Sequence, residues 1–120
     1  IGHDCVIHAP VCIGANVQIG NFVKIQAFAF IPDGVVIEDG VFIAPCVTFT
    51  NDKYPPSGCK GWAQTLVRQY ARIGANATIC PGVTIGEAAM GGAVSVVTHD
   101  IPRAETYVGN PARNIKKHEA

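Results

Sequence analysis

The sequence predicts an all-β solenoid, with very short strands wound into stacked triangular coils. Two columns of residues carry that reading. Isoleucine stands at 1, 7, 13, 19, 25, 31, 37 and 43; Phe49 follows, and Val67, Ile73, Ile79, Ile85 and Val97 resume the same phase of six. Four residues after each aliphatic comes a small or β-branched residue, from Cys5, Val11, Val17 and Val23 through Val47 to Ala71, Ala77, Val83, Ala89 and Ser95, broken only at Lys53. A third observation excludes the main rival. Gly 13 and Pro 8 in 120 residues are more helix breakers than a helical bundle tolerates.

A period of six is not a helix face, which needs 3.6. Two inward residues separated by one outward residue fit a minimal strand. The rest of each hexad turns a corner, often through Gly or Asn, as at Ala15-Asn16, Asp33-Gly34, Asp39-Gly40, Ala75-Asn76 and Pro81-Gly82, residues whose dihedrals suit tight turns. Three strand-and-corner units close one coil, and each coil buries its aliphatics only against its neighbours. Hexads run from Ile1 to Tyr54 and again from Val67 to about Pro102, which predicts about five coils. The whole chain, 1–120, reads as one domain with a projecting loop at about 51–66 and a cap at about 103–120. In the cap, VGNPARNIKKHE predicts a short helix with Asn110 as N-cap, Pro111 at the first helical position, and Lys116 and Lys117 near its end.

Nine Lys+Arg balance nine Asp+Glu, and the pI is about 7.1. That charge balance gives no footprint for nucleic acid or an anionic membrane. Charged residues are 15% of the chain, below the usual ~25%, so part of the surface is expected to be buried in an oligomer. No apolar run reaches the ~18 residues of a membrane span, and IGHDCVIHAP is no signal peptide. Five cysteines without a CxxC pair indicate reduced thiols and a cytoplasmic protein. The missing initiator Met leads to the expectation of a short leader and of no separate domain before Ile1.

The [LIV]-G-x4 pattern resembles the hexapeptide-repeat acyltransferases, whose fold is a left-handed parallel β-helix. FTNDKYPPSG (49–58), Trp62, Thr65, IGANATICPGVTIG (73–86), SVVTHDIP (95–102) and VGNPAR (108–113) resemble one branch, the N-acetyltransferases acting on nucleotide-linked amino sugars. The resemblance implies an acetyl-CoA-dependent, homotrimeric enzyme with no metal, its sites lying in clefts between adjacent prisms. It implies Asn51 and Asp52 as catalytic residues, Tyr54 and Trp62 as acceptor contacts, and Gly92, Ala93, Thr98, Arg113 and Lys116 as cofactor contacts. In the cofactor segment, Gly91 stands where an aliphatic belongs and Val94 where Gly is usual.

The residues themselves favour an amine acceptor. No His lies between Phe49 and Val67. A neutral amine attacks a thioester without a strong base if it is held in place, whereas a hydroxyl needs one. A sugar O-acetyltransferase is therefore the alternative enzyme, and a non-catalytic hexapeptide-repeat binding protein the alternative class. His3 and His8 have the spacing of two zinc ligands in carbonic anhydrases of this fold. An open zinc site needs a third ligand, and the chain offers none for it. His3, His8 and His99 read as corner residues, and Cys59 lacks the partner that would activate a thiol.

Overall fold

The computed structural model describes residues 1–58 and 62–115. Fourteen two-residue strands follow one another: β1 Val6–Ile7, β2 Cys12–Ile13, β3 Gln18–Ile19, β4 Lys24–Ile25, β5 Phe30–Ile31, β6 Val36–Ile37, β7 Phe42–Ile43, β8 Thr48–Phe49, β9 Leu66–Val67, β10 Arg72–Ile73, β11 Thr78–Ile79, β12 Thr84–Ile85, β13 Met90–Gly91 and β14 Val96–Val97. Two longer strands follow among the described residues, β15 Thr106–Gly109 and β16 Ala112–Asn114.

Every third strand stacks in parallel on the one before, which makes three faces. The first is β1-β4-β7-β10-β13-β15 with β16 at its end; the second is β2-β5-β8-β11-β14; the third is β3-β6-β9-β12. A bridge from Ile85 to Ile101 adds a fifth rung to the third face. The chain is thus a parallel β-helix with five complete coils and the start of a sixth.

The aliphatic column points inward as the period requires. Ile25, Ile31, Ile37, Ile43, Ile73, Ile79 and Ile85 are fully buried, with Val23, Val35, Val41, Ala71, Ala77 and Ala89 between them. Each buried Ile contributes roughly 1.5–3 kcal/mol by transfer from water. Thr65 is buried too, so the small column resumes before Val67.

The corners divide their work between two positions. The residue just after the aliphatic is Gly because the next coil presses on it: a Cβ at Gly14 would lie 2.6 Å from the backbone N of Asp33, and one at Gly74 would lie 2.5 Å from that of Ala93. The left-handed turn falls two residues later. Gly34 and Gly82 have positive φ there, and so do Asn16 and Asn76. Phe22, Phe28, Cys46, Tyr70 and Val94 share the conformation, which side chains other than Gly, Asn and Asp adopt at a cost. A ladder links the coils: Asn21, Asp33 and Asp39 each accept, through Oδ1, the backbone N–H of a residue 18 positions earlier.

One expectation changes. The cap at 103–120 does not begin as a helix at Asn110. Gly109 pairs with Ala112 in an antiparallel β15–β16 hairpin, with Asn110 and Pro111, joined by a cis peptide bond, as its turn. The open edge of β13 recruits β15 in parallel, and that pairing outweighs the capping signal in NPAR. Lys116 and Lys117 lie outside the described residues. Gly91 and Val94, in contrast, do not shift the register: Ile73 pairs with Gly91, and a buried Ser95 hydroxyl donates to the Gly92 carbonyl.

Candidate active site

The loop leaves the prism after β8 and returns at β9, at the corner between the second and third faces. Asn51 and Asp52 stand where it departs. An isolated antiparallel bridge between Asp52 and Trp62, with Ala63 N–H donating to the Asn51 carbonyl at 2.8 Å, closes its neck. Two side-chain amides tie that neck to the coil below. Asn51 Nδ2 donates to the Asp33 carbonyl at 3.3 Å, and Gln64 Nε2 to the Gly34 carbonyl at 3.2 Å.

Asp52 organises the loop tip. Its Oδ2 accepts the Ser57 N–H at 2.8 Å and its Oδ1 the Tyr54 N–H at 3.2 Å. These donors, Ser57 first, with the Trp62 side chain adding to them, hold its carboxyl below the ordinary carboxylate range against a smaller desolvation effect. It is therefore a weak base. Tyr54 is largely exposed, with Lys53 Nζ 5.6 Å from its ring centre.

Asn51 faces a cleft of about 270 Å³ shared with Cys12, Phe30, Pro32, Asp33 and Trp62. Trp62 also walls a second cleft of about 280 Å³ beside Asn16, Gly34 and Gln64. The indole, 43% exposed, thus separates two small hollows. With Asn51 Nδ2 engaged by Asp33, its Oδ1 is the atom that can accept from an amine. Phe30 belongs to this site and went unnoticed in sequence. Its outward place on β5 is legible from the period, but its partner Trp62 arrives through the aperiodic loop.

The expected cofactor residues do not converge within one chain. Gly92 is buried, its N–H donating to Tyr107, and a Cβ there would meet Val108 Cγ1 at 2.5 Å. Ala93 is exposed on the corner between the first and second faces. Thr98 is exposed on the next corner, two coils above Asn51, its hydroxyl 2.9 Å from His99 Nδ1. Arg113 lies on the end hairpin, its guanidinium donating to the Ala112 carbonyl at 3.1 Å. Lys116 and Cys59 are outside the described residues. Cys5, Cys12, Cys46 and Cys80 are free thiols. His3 pairs with Asp4, Nδ1 to Oδ2 at 2.7 Å, in the open. Among the described residues no three His, Cys, Asp or Glu side chains gather as a metal site, and no helix is long and apolar enough to cross a membrane.

Residues 16–51 match the family described as bacterial transferase hexapeptide (six repeats). A dTDP-3-amino-3,6-dideoxy-α-D-galactopyranose 3-N-acetyltransferase of Aneurinibacillus thermoaerophilus is 52% identical over 54 residues, 45% of this chain and 28% of that protein. The matched stretch spans about a quarter of the length of such curated relatives. A galactoside acetyltransferase solved with coenzyme A superposes with a TM-score of 0.86 at 31% identity, covering 95% of this chain and 62% of that one. A hexapeptide-repeat acetyltransferase of Vibrio cholerae superposes with a TM-score of 0.83 at 25% identity, covering 96% and 71%.

Proposed function

We propose that this chain, which resembles the hexapeptide-repeat transferases over residues 16–51, transfers an acetyl group from acetyl-CoA to the amino group of a nucleotide-linked amino sugar. The observation that carries this reading is Asn51. It stands at the neck of a loop that holds no His, faces an apolar cleft with Trp62, and has its amide fixed by Asp33. Such a site positions an amine and supplies no strong base, since Asp52 is committed to the loop backbone. The similarity to a nucleotide-sugar N-acetyltransferase supports the same acceptor class.

The amine nitrogen attacks the thioester carbonyl carbon, the N–C bond forms and the C–S bond breaks. The departing thiolate of coenzyme A takes up the surplus proton of the amine. Asn51 Oδ1 orients the amine, and positioning of this kind supplies a large part of the rate gain. Tyr54 and Trp62 contact the acceptor; Gly92, Ala93, Thr98, Arg113 and Lys116 contact coenzyme A. The reading includes a homotrimer, supported by the low charge content, and a cytoplasmic location, supported by the free thiols.

The test is thiol release from acetyl-CoA with a panel of nucleotide-linked amino sugars and their hydroxyl counterparts, the products read by mass spectrometry. An amide product with the amines alone is expected. An ester product, or no consumption of acetyl-CoA by folded protein, overturns the reading.

A further inference from the structure

One carbonyl on the corner between the second and third faces is used differently from its counterparts. Just before a left-handed residue, the carbonyl ordinarily takes a backbone N–H from the coil above: Asp39 from Tyr70 at 2.9 Å, Pro45 from Asn76 at 3.1 Å and Ala75 from Val94 at 2.8 Å. Ala15 follows the same pattern, accepting the Gly34 N–H at 3.0 Å. Above Asp33 the chain departs into the loop, and the Asn51 side chain supplies the donor, Nδ2 at 3.3 Å. Asp33 thus joins the periodic prism to the aperiodic neck.

Asp33 is itself held from below. Its Oδ1 accepts the Ala15 N–H at 2.7 Å. The first coil makes room for it at Gly14, where a Cβ would lie 2.6 Å from the Asp33 backbone N. Pro32, buried beside it, fixes one φ of the corner. The next carbonyl, that of Gly34, takes Gln64 Nε2 at 3.2 Å, on the returning end of the neck. Two consecutive carbonyls of one clamped corner therefore hold both ends of the loop, and Asp33 lines both hollows beside Trp62.

We infer that Asp33 is a positioning residue for the acyl transfer: by tying the second coil to the first, its side chain sets the carbonyl that fixes Asn51, and so the place of Asn51 Oδ1. At 3.3 Å the Asn51 bond is longer than the usual ~2.9–3.0 Å, so it holds the amide only while that carbonyl keeps its place. The kinetic half of the inference rests on the proposed reaction; the tie itself does not. An internal comparison separates this role from general support of the fold. Asp39 makes the same bond, Oδ1 to the Asn21 N–H at 2.7 Å, on the corner between the third and first faces, where no loop departs. Asn21 makes it with an amide oxygen, to the His3 N–H at 2.9 Å, so the ladder requires the accepting oxygen and not the charge.

Four variants test the inference: Asp33→Ala, Asp33→Asn, Asp39→Ala, and Asp33→Ala combined with Asn51→Ala. Two readouts are taken, kcat/KM for the acceptor and acrylamide quenching of Trp62, the only Trp of the chain, 43% exposed at the neck. Asp33→Ala is expected to lower kcat/KM about tenfold at an unchanged acetyl-CoA KM, since Asn51 Oδ1 remains and only its place is lost, and to raise the quenching constant. Asp33→Asn keeps the accepting oxygen and should stay within about twofold of wild type on both readouts, as should Asp39→Ala. The double variant should be no worse than Asn51→Ala alone, the non-additivity of residues that act through one another. Circular dichroism checks the fold; if Asp33→Ala does not fold, Asp33→Ser, whose oxygen stands one bond short of the carboxylate's, carries the same readouts. Additive losses in the double variant, equal damage from Asp39→Ala, or Asp33→Asn as impaired as Asp33→Ala overturns the inference. So does quenching in Asp33→Ala equal to that of wild type. A wild type that consumes no acetyl-CoA rejects the proposed activity, and the quenching constants then decide whether Asp33 fixes the neck.

Discussion

Asn51 Nδ2 donates to the Asp33 carbonyl one coil below, at 3.3 Å. That bond fixes the side chain at the neck of the loop and turns its remaining polar atom, Oδ1, into an acceptor of set position. Asn51→Ala removes both the tie and the acceptor. It is expected to lower kcat/KM by ~10²-fold, as small misplacements at a reacting centre do, with coenzyme A affinity unchanged in a binding titration.

Asp52→Asn should act differently. Its carboxylate receives Ser57 and Tyr54 N–H groups through separate oxygens, and an amide offers a single oxygen. The loop tip loses one anchor, so the acceptor KM rises more than kcat falls. A collapse of kcat at unchanged KM would place Asp52 in the chemistry instead.

Two glycines of the fourth and fifth coils predict opposite outcomes. Gly74→Ala drives a methyl into the backbone of Ala93, with contacts of 2.5 and 2.9 Å. Overpacking of this kind costs about 1–3 kcal/mol. At Gly91 a Cβ finds Val97 Cγ2 at 3.6 Å and Ile101 Cδ1 at 3.8 Å, ordinary contacts in a thin part of the core. Gly91→Ala is expected to stabilise by about 0.4–1 kcal/mol through the unfolded chain alone. Denaturant midpoints of the two variants decide both, with Ile37→Ala, a fully buried truncation expected to cost about 2–5 kcal/mol, as the reference.

The period made the prism legible because each inward residue is decided by its own place in a hexad, whatever the rest of the chain does. Ile37 and Val41 needed no tertiary information. The glycines show the limit of that reading. Their column was visible, but its cause was close approach between coils, and the left-handed turn sat two residues further on, where Asn16, Phe22 and Gly34 all serve. The cap was misread for a related reason. Asn110-Pro111 carries a helix signal locally, and only the exposed edge of β13 makes a hairpin the better ending. Asn51 and Trp62 were legible as residues through family resemblance. Phe30, which lines the same cleft, was not, since a cleft walled by an aperiodic loop leaves no mark on the period.

Arg113 sits at the end of the prism on the hairpin rather than on a helix. Arg113 is exposed, and among the described residues its guanidinium donates to the neighbouring Ala112 carbonyl, a bond a phosphate can replace with charge-assisted ones. Arg113→Gln is expected to weaken coenzyme A binding and to flatten its dependence on ionic strength, because screened charge pairs lose most in salt. Dephospho-coenzyme A narrows the assignment: an affinity loss confined to the 3′-phosphorylated form identifies the group Arg113 meets.

The pH profile is the most direct test of the mechanism. Ser57, Tyr54 and Trp62 hold Asp52 ionised by lowering its pKa. A carboxyl lowered on folding favours the folded loop above its unfolded pKa, and that support is lost only as pH falls through the still lower folded value. Asp52 therefore gives no limb near neutrality. With no His in the loop, kcat/KM should rise with the acceptor amine's own deprotonation and move when an acceptor of different amine pKa is used. His99 lies on the same corner, two coils above Asn51, its Nδ1 beside the Thr98 hydroxyl. His99→Asn should leave turnover within about twofold, as should His8→Asn, if positioning alone drives the reaction. A limb fixed near ~6.5, the ordinary imidazole range, that disappears in His99→Asn together with turnover would make His99 the base, and an attacking hydroxyl would become the better acceptor.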